Sequence, residues 1–198
     1  AKAHPALMEA FRTFLNYKFF LERYSPSVKR RGLFYFGYEG LSRPEIIRYK
    51  MRIEKNYVKP KALNNLVLFP TPREKPFYLN RIVMEILRRA QVHICFYLTP
   101  FGLIPIELSD VYPISQMEVA SPLDKETIES SISEVEKYIS RFKYDVVNLL
   151  VPENKELKQL EKACRKMCRK KHVRFKVIKI KECLSEDDAK KILKNIKI

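Results

Sequence analysis

At 198 residues, with 46% hydrophobic and 12% aromatic content, the chain can bury a sizeable core and is too apolar to be disordered. Only four glycines exclude collagen-like and glycine-rich low-complexity readings. The formal charge of +16 is unevenly spread: residues 1–62 carry 14 Lys/Arg against 5 Asp/Glu, residues 63–153 carry 9 against 12, and residues 154–198 carry 16 against 6. Two basic ends therefore flank a slightly acidic middle. Such an excess repels itself, and a polyanion relieves it by neutralisation and counterion release. A surface selected for heat tolerance would raise Glu with Lys, which does not happen here, so RNA is the expected partner. No apolar run approaches the roughly 20 residues of a membrane span. Arg12, Lys18, Glu22 and Arg23 break up the aromatic N-terminal stretch, so it does not read as a signal peptide. Cys95, Cys164, Cys168 and Cys183 have no secreted spacing and read as reduced thiols of a cytoplasmic protein.

Along the chain, Pro5 and the spacing of Met8, Phe11, Leu15 and Phe19 predict a helix to about Tyr24. Lys29–Arg30–Arg31–Gly32 reads as a basic turn. Leu33–Phe34–Tyr35–Phe36 reads as a short strand closed by Gly37 and Gly40. Ser42 is placed to cap a helix from Arg43–Pro44 to about Tyr57, with Ile46, Ile47, Met51 and Ile53 as its apolar members. Leu66–Phe69 is an unbroken apolar run suited to a buried parallel strand. A helix face follows in Leu79, Ile82, Val83, Ile86, Leu87 and Ala90, then a strand from Val92 to Leu98 and a proline-rich loop from Thr99 to Pro113. Asp124 is placed to cap a helix striped by Ile128, Ile132, Val135, Ile139 and Phe142. Asp145–Leu150 reads as a strand, 154–170 as a lysine-rich helix, Val173–Ile180 as a strand, and Ser185 as the cap of a last helix. This alternation predicts an α/β fold with a mostly parallel sheet between helices. Residues 61–198 would form the core and 1–60 a helical extension. Ligands of such sheets bind beyond the carboxyl ends of the strands, where the loops after Phe69 and Leu98 should be neighbours.

Four constellations are candidates for chemistry. Pro70–Tyr78 follows a buried strand and precedes a helix; Arg73 and Lys75 are suited to a phosphate, and Phe77 or Tyr78 to stacking on a base. Its bland alternative is a rigid, proline-framed turn. Glu107 and Asp110, three apart in an apolar loop, have the spacing of paired carboxylates, although most such pairs are merely solvated. Cys164, Cys168 and His172 lie at i, i+4 and i+8, which allows a metal, but Cys164 also continues an apolar stripe and no metal is expected. Arg165, Lys166, Arg169, Lys170, Lys171 and Arg174 form a basic run suited to phosphate contact without sequence readout. No Walker-type or dinucleotide-binding glycine pattern is present and no cofactor is expected.

Arg31–Gly32–Leu33–Phe34–Tyr35, with Leu41–Ser42–Arg43–Pro44–Glu45 and Arg48, resembles a segment of the archaeal tRNA-guanine transglycosylase-related family, above all archaeosine synthase. Leu98–Leu108 and Val111–Tyr112–Pro113 resemble a second segment of that family, in the same order. The resemblance implies a uracil-DNA-glycosylase-like α/β/α core and a reaction that adds lysine to the nitrile of a 7-cyano-7-deazaguanine base in tRNA. It also implies a signature of Pro-Cys, three residues, Lys-Pro-Tyr, two residues, Ser, two residues, His. Here Pro70, Lys75 and Pro76 match, while Thr71, Phe77, Asn80 and Val83 replace the Cys, Tyr, Ser and His. Ile106 stands where a basic residue is expected. A threonine hydroxyl is a far weaker nucleophile than a thiolate. On this resemblance the chain is expected to lack the family's transglycosylase-like and C-terminal RNA-binding domains.

The expectation is thus a non-catalytic or catalytically altered archaeosine-synthase-like domain that binds structured RNA, either tRNA or ribosomal RNA. Arg43, Arg48, Arg73, Lys75 and the basic helix would contact phosphates. Pro70, Thr71, Lys75, Phe77, Tyr78, Glu107 and Tyr112 would line a pocket. The alternatives are a subunit of an archaeosine-pathway enzyme completed by a partner protein, a ribonucleoprotein component, and a protein-interaction domain.

Overall fold

The computed structural model describes residues 35, 37–72, 75–118, 124–153, 157–181 and 186–196. The predicted helix of residues 5–24, the basic turn at 29–32, Arg73, Cys183 and the Ser185 cap lie outside the described residues. Eleven main elements follow in order among those described: α1 (Gly37–Leu41), α2 (Pro44–Lys55), β1 (Asn65–Pro70), α3 (Arg81–Arg89), β2 (His93–Thr99), β3 (Gly102–Pro105), α4 (Lys125–Arg141), β4 (Val146–Pro152), α5 (Lys158–Lys170), β5 (Arg174–Ile180) and α6 (Glu186–Ile196).

The strands form one sheet in the order β3-β2-β1-β4-β5. All neighbours run parallel except β3, which returns antiparallel to β2. Side chains of a strand alternate between faces, and both faces here are covered, which is why β1, β2 and β4 are apolar almost throughout. On one face Val67, Phe69, Ile94 and Phe96 pack with Val83 and Ile86 of α3 and with Ile192, Leu193 and Ile196 of α6. On the other, Leu66, Leu68, Cys95 and Tyr97 pack with Val135, Tyr138 and Ile139 of α4 and with Leu160, Cys164 and Cys168 of α5. Each fully buried side chain of this size contributes about 1.5–3 kcal/mol. The α/β architecture and the mostly parallel sheet match the expectation from the sequence. Among the described residues, no helix is long and apolar enough to cross a membrane.

Several local features differ from that expectation. The proline-rich stretch after Thr99 holds the short strand β3, which tolerates Pro105 because an edge strand need not donate on its outer side. The β2–β3 turn requires Gly102: its φ is +85°, and a Cβ there would stand 2.5 Å from Cγ of Glu134. Tyr35 lies outside any strand and Gly37 opens the helical turn α1, instead of closing a strand. Ser42 does not cap α2. Its hydroxyl donates to the carbonyl of Tyr38, 2.6 Å away, and Arg43 occupies the cap position with Pro44 behind it. The buried face of α2 is Glu45, Ile46 and Tyr49, while Met51 is exposed. That face brings residues of the predicted 1–60 extension against β3, where the Tyr49 hydroxyl donates to the carbonyl of Leu103 at 2.8 Å. On α4, Thr127, Ser131 and Tyr138 are buried alongside Val135 and Ile139, whereas Ile128 and Ile132 are only partly covered. Ser131 accepts from the N–H of Leu98 at 2.9 Å and so holds that residue, with φ of 62°, at the end of β2.

Candidate nucleic-acid interface

At the carboxyl edge of the sheet the segment that follows β1 is held against the end of β2. Both the N–H and the hydroxyl of Thr71 donate to the carbonyl of Tyr97, at 3.1 and 2.7 Å. The hydroxyl at the position where the resemblance implies a cysteine is thus held by backbone. Phe77 is buried edge-on against Phe96, with ring centroids 5.0 Å apart. Oδ1 of Asn80 accepts from the N–H groups of Ile82 and Val83 at 3.2 and 3.4 Å, and so caps α3. Val83 is fully buried in the apolar face. Pro70 ends β1 half-buried. The positions that depart from the signature therefore hold residues that cap, pack or pin.

Lys75 is the signature residue that remains reactive in character. Its Nζ is buried and, among the described residues, has no hydrogen-bond partner. Burial pushes the amine below its ordinary range, and the carboxylate of Glu118 opposes that shift. Tyr78 is partly exposed, and the charge of Asp110, reinforced by burial and by a hydrogen bond to that carboxylate, raises its phenol.

Glu107 lies elsewhere. The register of β2 against β1 and β3 puts His93 and the start of the Ile106–Leu108 turn at the amino end of β2. There the Glu107 carboxylate stands 3.4 Å from Nε2 of His93 and accepts a hydrogen bond from the Tyr57 hydroxyl. Glu107 and Asp110 thus engage different partners, and they do not form the paired-carboxylate arrangement that acid/base catalysis needs.

The residues expected to contact phosphate fall into separate regions. Arg43 pairs with Glu45 at 3.1 Å, and Arg48 lies further along α2, on the side that faces Val111 and Tyr112. Lys75 is at the carboxyl edge. Arg165, Lys166, Arg169 and Lys170 are exposed on α5, which covers the other face of the sheet near β4 and β5. Lys158 and Lys162 extend that exposed row. The single acid on α5, Glu161, faces Lys179 at 3.4 Å. Arg165 sits over the Phe175 ring, 5.5 Å from its centroid. Lys171 is half-buried, with Nζ 3.4 Å from the carbonyl of Phe142.

Cys164 and Cys168 point from the same helix into the core, where burial raises both thiols, Cys168 to about 11. The imidazole of His172 is exposed beyond the helix end. Among the described residues, no group of three His, Cys, Asp or Glu could hold a metal ion.

A cleft of about 490 Å³ runs between α2 and the 108–114 segment, with Arg48, Arg52 and Asn56 on one wall and Val111 and Tyr112 on the other. The spacing of 48, 52 and 56 was the available signal, since i, i+4, i+8 residues share a helix face. Nothing in the sequence indicated which element would stand opposite.

A family model described as a domain of unknown function, DUF5591, matches residues 46–195. The chain belongs to the DUF5591 family. The match opens on α2 and closes within α6, so this DUF5591 domain carries the strand-end loop, the cleft and α5 inside its family region. Relatives include proteins named tRNA-guanine(15) transglycosylase from Saccharolobus solfataricus (31% identical over 154 residues, 76% of this chain), Sulfolobus acidocaldarius (33% over 152 residues, 76%) and Methanobrevibacter smithii (36% over 152 residues, 71%). The DUF5591 chain spans 30%, 29% and 22% of those relatives. The kinship expected from the Leu41–Arg48 and Leu98–Pro113 segments is therefore real. No solved structure matches the chain.

Proposed function

We propose that this domain binds tRNA through the exposed basic face of α5 and does not carry out the archaeosine-synthase reaction by itself. The observation that carries the reading is the row Lys162, Arg165, Lys166, Arg169 and Lys170, exposed on one helix whose single acid faces a lysine. A row of this kind contacts a phosphate backbone without reading bases. The names of the relatives supply the class of RNA. Loss of the reaction is supported by the structural roles of Thr71, Phe77, Asn80 and Val83. On the same reading, the core is of the uracil-DNA-glycosylase-like type and residues 1–60 extend it.

The test is binding of a tRNA transcript by fluorescence anisotropy, comparing wild type with a variant in which Arg165, Lys166, Arg169 and Lys170 are changed to Glu. These sites are exposed, so folding should survive, and affinity should fall more than about tenfold. Equal affinity would overturn the reading. RNA recovered with the protein from its host would separate tRNA from ribosomal RNA.

A second reading, a subunit of an enzyme acting on the cyano-deazaguanine base, is favoured by one observation, the buried amine of Lys75, which has no hydrogen-bond partner among the described residues. A Lys75→Met variant would leave tRNA affinity unchanged under the first reading and abolish base modification in a partner-completed assay under the second.

A further inference from the structure

We propose, resting on that reading of α5, that its exposed basic face takes the backbone of a helical RNA duplex, recognised by shape, in preference to a single strand. The helix arranges its cations in two lines. Lys162, Arg165 and Arg169 follow one another at spacings of three and four residues, and Lys166 and Lys170, four apart, run beside them. All of these are exposed, and among the described residues none of them makes an ion pair. At about 1.5 Å per residue the lines extend over roughly 12 Å. The opposite side of the helix, Leu160, Ala163, Cys164 and Cys168, is buried against the sheet and α4. The helix therefore cannot turn its cations to follow a flexible strand. Arg165 is fixed further by the Phe175 ring beneath its guanidinium.

A cationic surface of fixed geometry favours a partner whose phosphates are also fixed. A duplex presents them at set positions on a stiff cylinder, whereas a single strand loses conformational freedom when it is laid along such a surface. Double-stranded nucleic acid also releases more counterion per contact than a single strand. What a single strand needs in return is a succession of aromatic faces on which its bases stack, and the described residues place no such succession here. The exposed Phe and Tyr side chains among them are Tyr38, Tyr78 and Tyr112, all on other elements. Phe175, next to the row, is half-buried with its ring under Arg165. His172, past the helix end, offers a single ring. Contact is then limited to phosphate and sugar, and the face should take duplexes of different sequence alike.

The experiment uses the full chain and three labelled probes in fluorescence anisotropy: a blunt RNA duplex of about 16 base pairs, a second duplex of permuted sequence, and one strand of the first, chosen to be free of self-pairing. Wild type should bind the two duplexes within about twofold of each other, and at least about tenfold more tightly than the single strand. That comparison needs no variant. A variant carrying Arg165→Gln, Lys166→Gln, Arg169→Gln and Lys170→Gln should lose duplex affinity by at least about tenfold and most of the preference for duplex over strand. Amide NMR shifts on adding the duplex to wild type should fall on α5. Single-strand binding as tight as duplex binding, a tenfold preference for one duplex sequence, or shifts confined to other surfaces would overturn the inference. If the single strand binds as tightly as the duplex while the variant still loses tRNA, α5 binds phosphate and the tRNA reading stands without the duplex preference. If the variant binds duplex and tRNA as wild type does, the basic-face reading falls and the duplex preference of α5 with it.

Discussion

The Glu107 carboxylate lies 3.4 Å from Nε2 of His93, an imidazole with no solvent exposure, and shares that neighbourhood with the Tyr57 hydroxyl. On its other side, Nδ1 of His93 lies 2.7 Å from the hydroxyl of Tyr144, which is 3.3 Å from that of Tyr138. This polar chain ties the segment after α2, the start of β2 and the end of α4 together at the amino edge of the sheet. Satisfied buried networks of this kind specify one arrangement of the elements they join.

Burial works against ionisation of Glu107, but hydrogen bonds from His93 and Tyr57 outweigh it and hold the carboxyl below its ordinary value of 4.5. A carboxyl with a depressed folded pKa contributes stability that is full above the unfolded value and is lost as pH falls through the folded one. Urea unfolding below about pH 4.5 should therefore show a steeper loss of stability for wild type than for Glu107→Gln. Parallel pH profiles would mean that the carboxylate contributes nothing. Glu107→Ala at neutral pH, which removes the acceptor of Tyr57, should cost about 1 kcal/mol.

Asn80 stands where the resemblance implies a Ser, and it caps α3 through two accepted hydrogen bonds. Asn80→Ala should lower stability by about 1 kcal/mol, and Asn80→Ser should be within about 0.5 kcal/mol of wild type. Urea midpoints at unchanged slope would measure both.

Restoring the signature at position 83 should be costly. Val83 is a fully buried residue of α3 in the apolar cluster shared with β1 and β2, so Val83→His places ring nitrogens where apolar side chains surround them. A loss of about 1–3 kcal/mol is expected, measurable by the same unfolding experiment. Retained stability would mean that the helix can turn a histidine towards the strand-end loop, and would weaken the case for a lost reaction.

Cys95, Cys164 and Cys168 are buried and their thiols raised, chiefly by burial. Thiolate is the reactive form, so a thiol reagent at neutral pH should leave these three unmodified in the folded protein and modify them in denaturant. Rapid labelling of Cys164 or Cys168 in the folded state would show that α5 does not pack as described.

The sheet was legible because β1, β2 and β4 are unbroken apolar runs, and the helices because Asp124 caps α4 and Ile82, Val83 and Ile86 repeat at helical spacing. β3 was not legible: four residues between Phe101 and Ile106, one of them proline, carry too little pattern to separate a strand from a loop. On α2 the pattern gives Ile46 and Ile53 correctly as core-facing, but Glu45 and Tyr49 also face inward while Met51 faces solvent. Tertiary pairing, Glu45 with Arg43 and Tyr35, overrides hydrophobicity there. The basic row of α5 was readable from charge alone. The cleft was not, because its walls are about 60 residues apart in sequence and only the fold brings them together.

The most direct test of the basic-face proposal is the salt dependence of tRNA binding, measured for wild type and for the variant with Arg165, Lys166, Arg169 and Lys170 changed to Glu. If these four exposed cations each neutralise a phosphate, log affinity against log salt should fall with a slope steeper than about −3 for wild type and be much flatter for the variant. A flat wild-type slope, or equal slopes for the two proteins, would contradict phosphate binding by α5.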